Sequence, residues 1–141
     1  MNDLPVDLVP TMNQHRPRTA FALLAFAFAL GACNSSTEGP PVPGGVAAVS
    51  GNNQFAVVSS PASNPLVVLV TDQNGSPLSN TPVSWKVTTG GGSVADTTST
   101  SDASGYATTT YTAGTRPGAA TGVATVAQIW TTSFTIYIEA P

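Results

Sequence analysis

Four basic and seven acidic side chains in 141 residues leave a net charge of −3, too little positive charge to neutralise a phosphate backbone, so nucleic acid is excluded as a partner. The one cysteine, Cys33, can form no disulfide within the chain, and the one histidine, His15, lies in the N-terminal stretch. Stability must therefore come from packing, and beyond that stretch no histidine is present to serve a triad or a zinc site.

The first segment reads as an address. His15, Arg16 and Arg18 precede an apolar run from Ala20 to Leu30, and Leu30-Gly31-Ala32-Cys33 follows. A basic start, a short greasy core and small residues ahead of a cut are the parts of a secretory signal, and the run is only about half of the roughly 20 apolar residues that span a bilayer. The tetrapeptide resembles the bacterial lipoprotein box. That resemblance implies cleavage before Cys33 and a diacylglyceryl group on its thiol, with Leu30, Gly31 and Ala32 forming the recognition site. Asn34 after the cysteine resembles the outer-membrane type. Asp3 and Asp7 suit a signal start poorly, which makes Met12 the expected initiator in place of Met1. Residues 1–32 are thus expected to be removed, leaving roughly the 100 residues of one domain.

From Cys33 to Gly45 the chain is expected to be a lipidated cysteine and a tether. Asn34–Gly45 holds three prolines and almost nothing to bury, and at about 3.1 Å per residue it reaches at most ~37 Å. From Val46 to Pro141 short runs rich in Val, Thr, Ile and aromatics alternate with Gly, Asn, Asp and Pro clusters about every ten residues, the pattern of an all-β sandwich or barrel. Strands are expected near Val46–Ser50, Gln54–Val58, Leu66–Thr71, Val83–Thr88, Ser93–Thr100, Tyr106–Thr112, Thr121–Gln128 and Thr132–Glu139. Alternation puts Val83, Trp85 and Val87 on one face, with Trp85 at the core centre, and likewise Phe134, Ile136 and Ile138. The strand near Thr121–Gln128 shows no clean register, because Val123 and Val126 differ in parity. Its facing stays open.

The turns occur in a telling order: Thr71-Asp-Gln-Asn-Gly-Ser-Pro77, Thr81-Pro-Val-Ser-Trp-Lys-Val87, Gly90-Gly-Gly-Ser93, Thr100-Ser-Asp-Ala-Ser-Gly-Tyr-Ala107 and Gly114-Thr-Arg-Pro-Gly118. As a set they resemble the bacterial Ig-like domain of the invasin and intimin type (group 1). Ser101 stands where that family usually has Thr, and the stretch after Gly118 departs from the usual Val-x-Ala strand. The resemblance implies an Ig-like β-sandwich of about seven to eight strands and an association with cell surfaces or adhesion. In the two acidic turns Asp72 and Asp102 are expected to accept backbone N–H groups two residues on, while Gly75 and Gly105 supply positive φ.

Sites for chemistry are sparse. A carboxylate pair from Asp72, Asp96, Asp102 and Glu139 would be needed for glycosidase-like acid–base work, but two of these are turn formers. Asp72-x-Asn74-Gly75 begins like a calcium loop and lacks its continuation, since Val83 occupies the position of the bidentate Glu. Gly90-Gly91-Gly92 has no Lys-Ser/Thr after it and reads as a hairpin bend. Trp130, Tyr106 and Tyr137 could stack on sugar rings, or simply pack at strand ends. No metal, cofactor or catalytic residue is assigned.

These residues together point to an exported envelope protein, held to the outer membrane through Cys33 and carrying one Ig-like domain that acts as a structural or interaction module. A carbohydrate-binding module and a carboxylate enzyme are the alternatives. With strands of about 27 Å added to the tether, a binding surface stays within roughly 65 Å of the lipid. A protein or polysaccharide of the envelope is then the expected partner, met by Thr-rich strand faces or by the Gly90–Ser93 and Gly114–Gly118 turns.

Overall fold

The computed structural model describes residues 39–141; Leu30, Gly31, Ala32 and Cys33 lie outside the described residues. Ten strands follow in order: β1 (Pro43–Ser50), β2 (Gln54–Val57), β3 (Leu66–Asp72), β4 (Pro82–Thr89), β5 (Ser93–Val94), β6 (Thr98–Thr100), β7 (Tyr106–Thr109), β8 (Tyr111–Thr112), β9 (Gly118–Val126) and β10 (Trp130–Glu139). The described residues contain no helix. A five-stranded sheet runs β2-β10-β9-β4-β6 and a three-stranded sheet runs β1-β3-β7, with β5 and β8 forming a two-stranded ribbon. All pairings are antiparallel except β2 with β10. The expected all-β, Ig-like sandwich is borne out, and with one cysteine it carries no internal disulfide.

Alternation builds the core. Leu66, Val68 and Val70 of β3 face Val83 and Trp85 of β4 and Phe134, Ile136 and Ile138 of β10 across one continuous buried cluster. The strand whose facing was open resolves cleanly: Ala120, Gly122, Ala124 and Val126 point inward, and Thr121, Val123 and Thr125 are half-buried on the other face. Small inward residues are what its position demands. Lying between β4 and β10, β9 sets Ala124 opposite Trp85 and Gly122 opposite Phe134.

Two expected strands each divide. The stretch expected as one strand over Ser93–Thr100 changes partners, bonding β8 through Ser93 and Val94 and β4 through Thr98 to Thr100. Ala95 N–H still donates to Thr110 on the first side, while Thr97 already accepts from Trp85 N–H on the second. The stretch expected over Tyr106–Thr112 breaks at Thr110, whose carbonyl takes that Ala95 bond; its inward parity is nonetheless kept through Ala107, Thr109 and Tyr111. A second exchange joins β1, in the smaller sheet, to β2, in the larger. Strands that switch sheets in this way close the sides of a sandwich that would otherwise expose unpaired edges. Gln54 fixes the β1–β2 passage, its buried amide donating to Gly51 O and Asn64 O and accepting from Asn64 N–H.

Strand limits shift for local reasons. β1 begins at Pro43, not Val46, because Pro43 pairs with Asp72 and Gly45 with Thr71; a Cβ on Gly44 would collide with the Asp72 carbonyl. The end of the expected tether is therefore already sheet. β9 stops at Val126 and β10 starts at Trp130, since Ala127 (φ 51°) and Gln128 (φ 60°) take the paired positive φ of a tight hairpin turn.

Candidate binding site

Strand direction sorts the loops into two groups. At one end lie the entry of the chain at Val42–Pro43, the turns after β3 and after β6, and the β9–β10 hairpin; at the other lie Gly90–Gly92, Gly114–Pro117 and the exit of β10.

The two acidic turns of the entry end are built alike. Asp72 Oδ1 accepts from the N–H groups of Asn74 (2.8 Å) and Ser76 (2.9 Å), and Asp102 Oδ1 accepts from Ser104 (2.8 Å) and Tyr106 (2.9 Å). Gly75 has φ +82° and Gly105 φ +81°. The turns are linked through Val70 N–H, which donates to Gly105 O. Their neighbour Ser101 is buried, donating to Leu78 O at 2.7 Å and accepting from Thr81 N–H at 3.0 Å. The carboxylates of Asp72 and Asp102 are thus engaged in shaping their own turns. Asp96 sits beside Thr109, and Glu139 is at the far end of β10. No group of three or more potential metal-ligating side chains occurs among the described residues.

The aromatics singled out from sequence do not form a platform. Tyr106 belongs to the three-stranded sheet, while Trp130 and Tyr137 occupy opposite ends of β10. Trp130 donates its indole N–H to Pro43 O at 3.1 Å. Tyr137 has a partner that alternation did not suggest: Phe55, 59 % exposed, with ring centroids 5.4 Å apart and planes tilted by 32°. Phe55 is outward because Gln54 and Ala56 take the inward positions of β2. The outer face of the larger sheet carries a hydroxyl row in which Thr98, Ser84, Thr125 and Thr131 are successive neighbours across four strands.

The far end holds a cleft of about 550 Å³. The two turns expected to meet a partner line it together: Gly90, Gly91 and Gly92 on one side, Gly114, Thr115 and Arg116 on the other. Gly90, Gly91 and Gly92 all have positive φ, at 76°, 73° and 95°. A side chain at Gly90 would run into the Ala119–Ala120 backbone, and one at Gly92 into Thr112 O and the Tyr111 ring. Sequence reasoning missed the residue that fixes this wall. Tyr111 is fully buried and donates its hydroxyl to Gly91 O at 2.6 Å. Burial pushes its phenol above the ordinary value, a hydrogen bond with the Gly114 backbone pulling the other way. The cleft is therefore walled by fixed backbone, with Arg116 as the charged side chain among its lining residues. Such a surface suits a carboxylate or another group rich in acceptor oxygens.

The model of the bacterial Ig-like domain (group 1) matches residues 41–137. No curated protein sequence matches the chain. Among solved structures, the adhesin InvE of Yersinia pseudotuberculosis superposes with a TM-score of 0.57 at 15 % identity, over 70 % of this chain and 33 % of that one. A C-terminal 282-residue fragment of intimin, in complex with the intimin-binding domain of the translocated intimin receptor, gives 0.53 at 23 % identity over 69 % and 33 %. Domains 4–9 of the surface layer protein SbsC give 0.54 at 15 % over 72 % and 15 %. The chain spans a third or less of each of these structures. At such identities the likeness is one of fold.

Proposed function

Because the chain belongs to the bacterial Ig-like domain (group 1) family, we propose that it is an exported, lipid-anchored envelope module that works by holding a partner, without catalysis. Residues 1–32 act as the signal, Leu30, Gly31 and Ala32 as its processing site, and Cys33 as the acylated first residue of the mature protein. The observation that carries the reading is the opposition of the two ends. The chain enters the sandwich at Pro43, and the Gly90–Arg116 cleft opens at the other end. The nine residues from Asn34 to Val42, at about 3.1 Å each, keep the entry end within ~28 Å of the lipid. The cleft lies at the end of the domain opposite this tether.

The partner is an envelope protein or polysaccharide that offers an anionic or carbonyl-rich group to Arg116 and the glycine backbone. A protein is favoured by analogy with intimin, whose fragment was solved with a receptor domain. The carbohydrate alternative needs Trp130, Tyr106 and Tyr137 to share one face, which their places in two sheets and at opposite ends of β10 do not give them, and the Phe55–Tyr137 pair, tilted by 32°, is not the flat platform that a sugar face needs.

A photo-crosslinking residue in place of Thr115, at the cleft, is compared in living cells with one in place of exposed Ser104, at the entry end. Capture of an envelope component from position 115 and not from 104 is expected. Equal capture at both positions, or capture solely of molecules foreign to the envelope, overturns the reading.

A further inference from the structure

The entry end carries apolar side chains that the sandwich does not use. Ile129, 74 % exposed, and Trp130, 41 % exposed, form the tip of the β9–β10 hairpin, and Val42, 53 % exposed, is the last residue before β1. The bond from Trp130 Nε1 to Pro43 O places the hairpin tip beside the incoming chain. Val42 is held there by Gln73, its N–H donating to the side-chain Gln73 Oε1 at 2.9 Å and its carbonyl accepting from Gln73 N–H at 3.2 Å. The exposed side chain of Ile129 has no packing role: the turn is set by the positive φ of Ala127 and Gln128, and by Ile129 N–H donating to Val126 O.

We infer that Val42, Ile129 and Trp130 form a foot that rests in the interfacial layer of the bilayer to which Cys33 is attached. The inference rests on the lipid-anchor reading above. Three observations select a lipid surface as the occupant. The foot lies where the chain arrives from Cys33, with nine residues between that cysteine and Pro43. An indole whose N–H is already satisfied can enter a poorly hydrated layer without leaving a donor unpaired. Among the described residues of this end the charged groups are Asp72 and Asp102, each of which uses Oδ1 to accept from its own loop, and no Lys or Arg lies in the entry-end loops. The foot therefore engages the membrane by apolar burial and not by attraction to anionic headgroups, and its binding to uncharged phosphatidylcholine is insensitive to salt. Contact at this end holds the cleft upright, away from the bilayer.

The test uses the full, acylated protein in phosphatidylcholine vesicles whose acyl chains carry bromine near the headgroup, a short-range quencher of tryptophan. The two tryptophans report separately, since Trp85 is buried in the core and Trp130 is at the foot. The expected result is a loss of emission relative to unbrominated vesicles. Trp130→Phe should abolish that loss, and so should Ile129→Asp, a change at an exposed position that leaves the fold intact. Protein that floats with the vesicles but shows equal emission in both lipids overturns the foot and leaves the anchor standing. So does shielding of Trp130 by a second copy, seen as a dimer in sedimentation together with unquenched emission. Protein that fails to float overturns the anchor reading, and the foot with it.

Discussion

The rings of Trp85 and Phe134 lie 5.9 Å apart, centroid to centroid, although a whole strand separates the backbones that carry them. Strands β4 and β10 flank β9, so their backbones stand about 9.5 Å apart, at two spacings of roughly 4.8 Å. The rings meet by leaning over β9, whose inward residues at that level are Ala124 and Gly122. Trp85→Ala should cost about 3–5 kcal/mol, a large part of a domain's usual stability. Ala124→Leu, which forces the rings apart, should cost about 1–3 kcal/mol. Combined, the two should cost less than their sum, because the added side chain fills the space the indole leaves. Denaturant unfolding of the four proteins measures this.

Gly122 tests the same packing from the other direction. A Cβ there meets nothing nearer than Lys86 O at 3.8 Å. Gly122→Ala should therefore raise stability by about 0.4–1 kcal/mol, through a less flexible unfolded chain. A rise in melting temperature is expected, and a fall would mean that the space above β9 is already full.

The alternation of Trp85 and Phe134 was legible in the sequence because their strands mix large apolar and polar residues. The facing of β9 was not, since its two valines, inward Val126 and outward Val123, differ in parity and the rest of its inward set, Ala120, Gly122 and Ala124, is small. Periodicity reports burial only where burial needs bulk, and a strand flanked by large residues on both sides needs the reverse. Gln54 and Phe55 run against hydrophobicity in a related way: the amide is inward because it closes three hydrogen bonds at the sheet exchange, leaving the aromatic outside. The two lining turns of the cleft were each visible as glycine clusters. Their meeting was not, because it depends on the pairing of Ser93 with Thr112 in the β5–β8 ribbon, which the Tyr111 bond to Gly91 O reinforces.

The paired acidic turns separate two demands on glycine. Gly75 needs only its φ of +82°, with open space where a Cβ would stand, whereas Gly105 combines φ +81° with a Cβ position 2.8 Å from Val70 O. Gly75→Ala should cost about 1 kcal/mol and Gly105→Ala clearly more. Equal losses in thermal unfolding would show that the link between the turns is slack. Ser101→Ala, which strands Thr81 N–H and Leu78 O, should cost about 1–3 kcal/mol on its own.

Tyr111 predicts an alkaline limit. Its phenol is raised above 10.0 by burial, so the folded state holds the proton more tightly than the unfolded one. The corresponding stability is complete below the unfolded value of about 10 and is lost as pH rises through the folded value. Unfolding free energy should fall above about pH 10, and Tyr111→Phe should lessen that fall. An unchanged alkaline slope in the variant would assign the loss to other groups.

The central claim, attachment through Cys33, is tested most directly by metabolic labelling of cells with a palmitate analogue that can be coupled to a fluorophore. The wild-type chain should carry label and migrate as the processed form. Cys33→Ser should carry none and persist as the unprocessed precursor. Equal labelling of the two proteins would contradict the account.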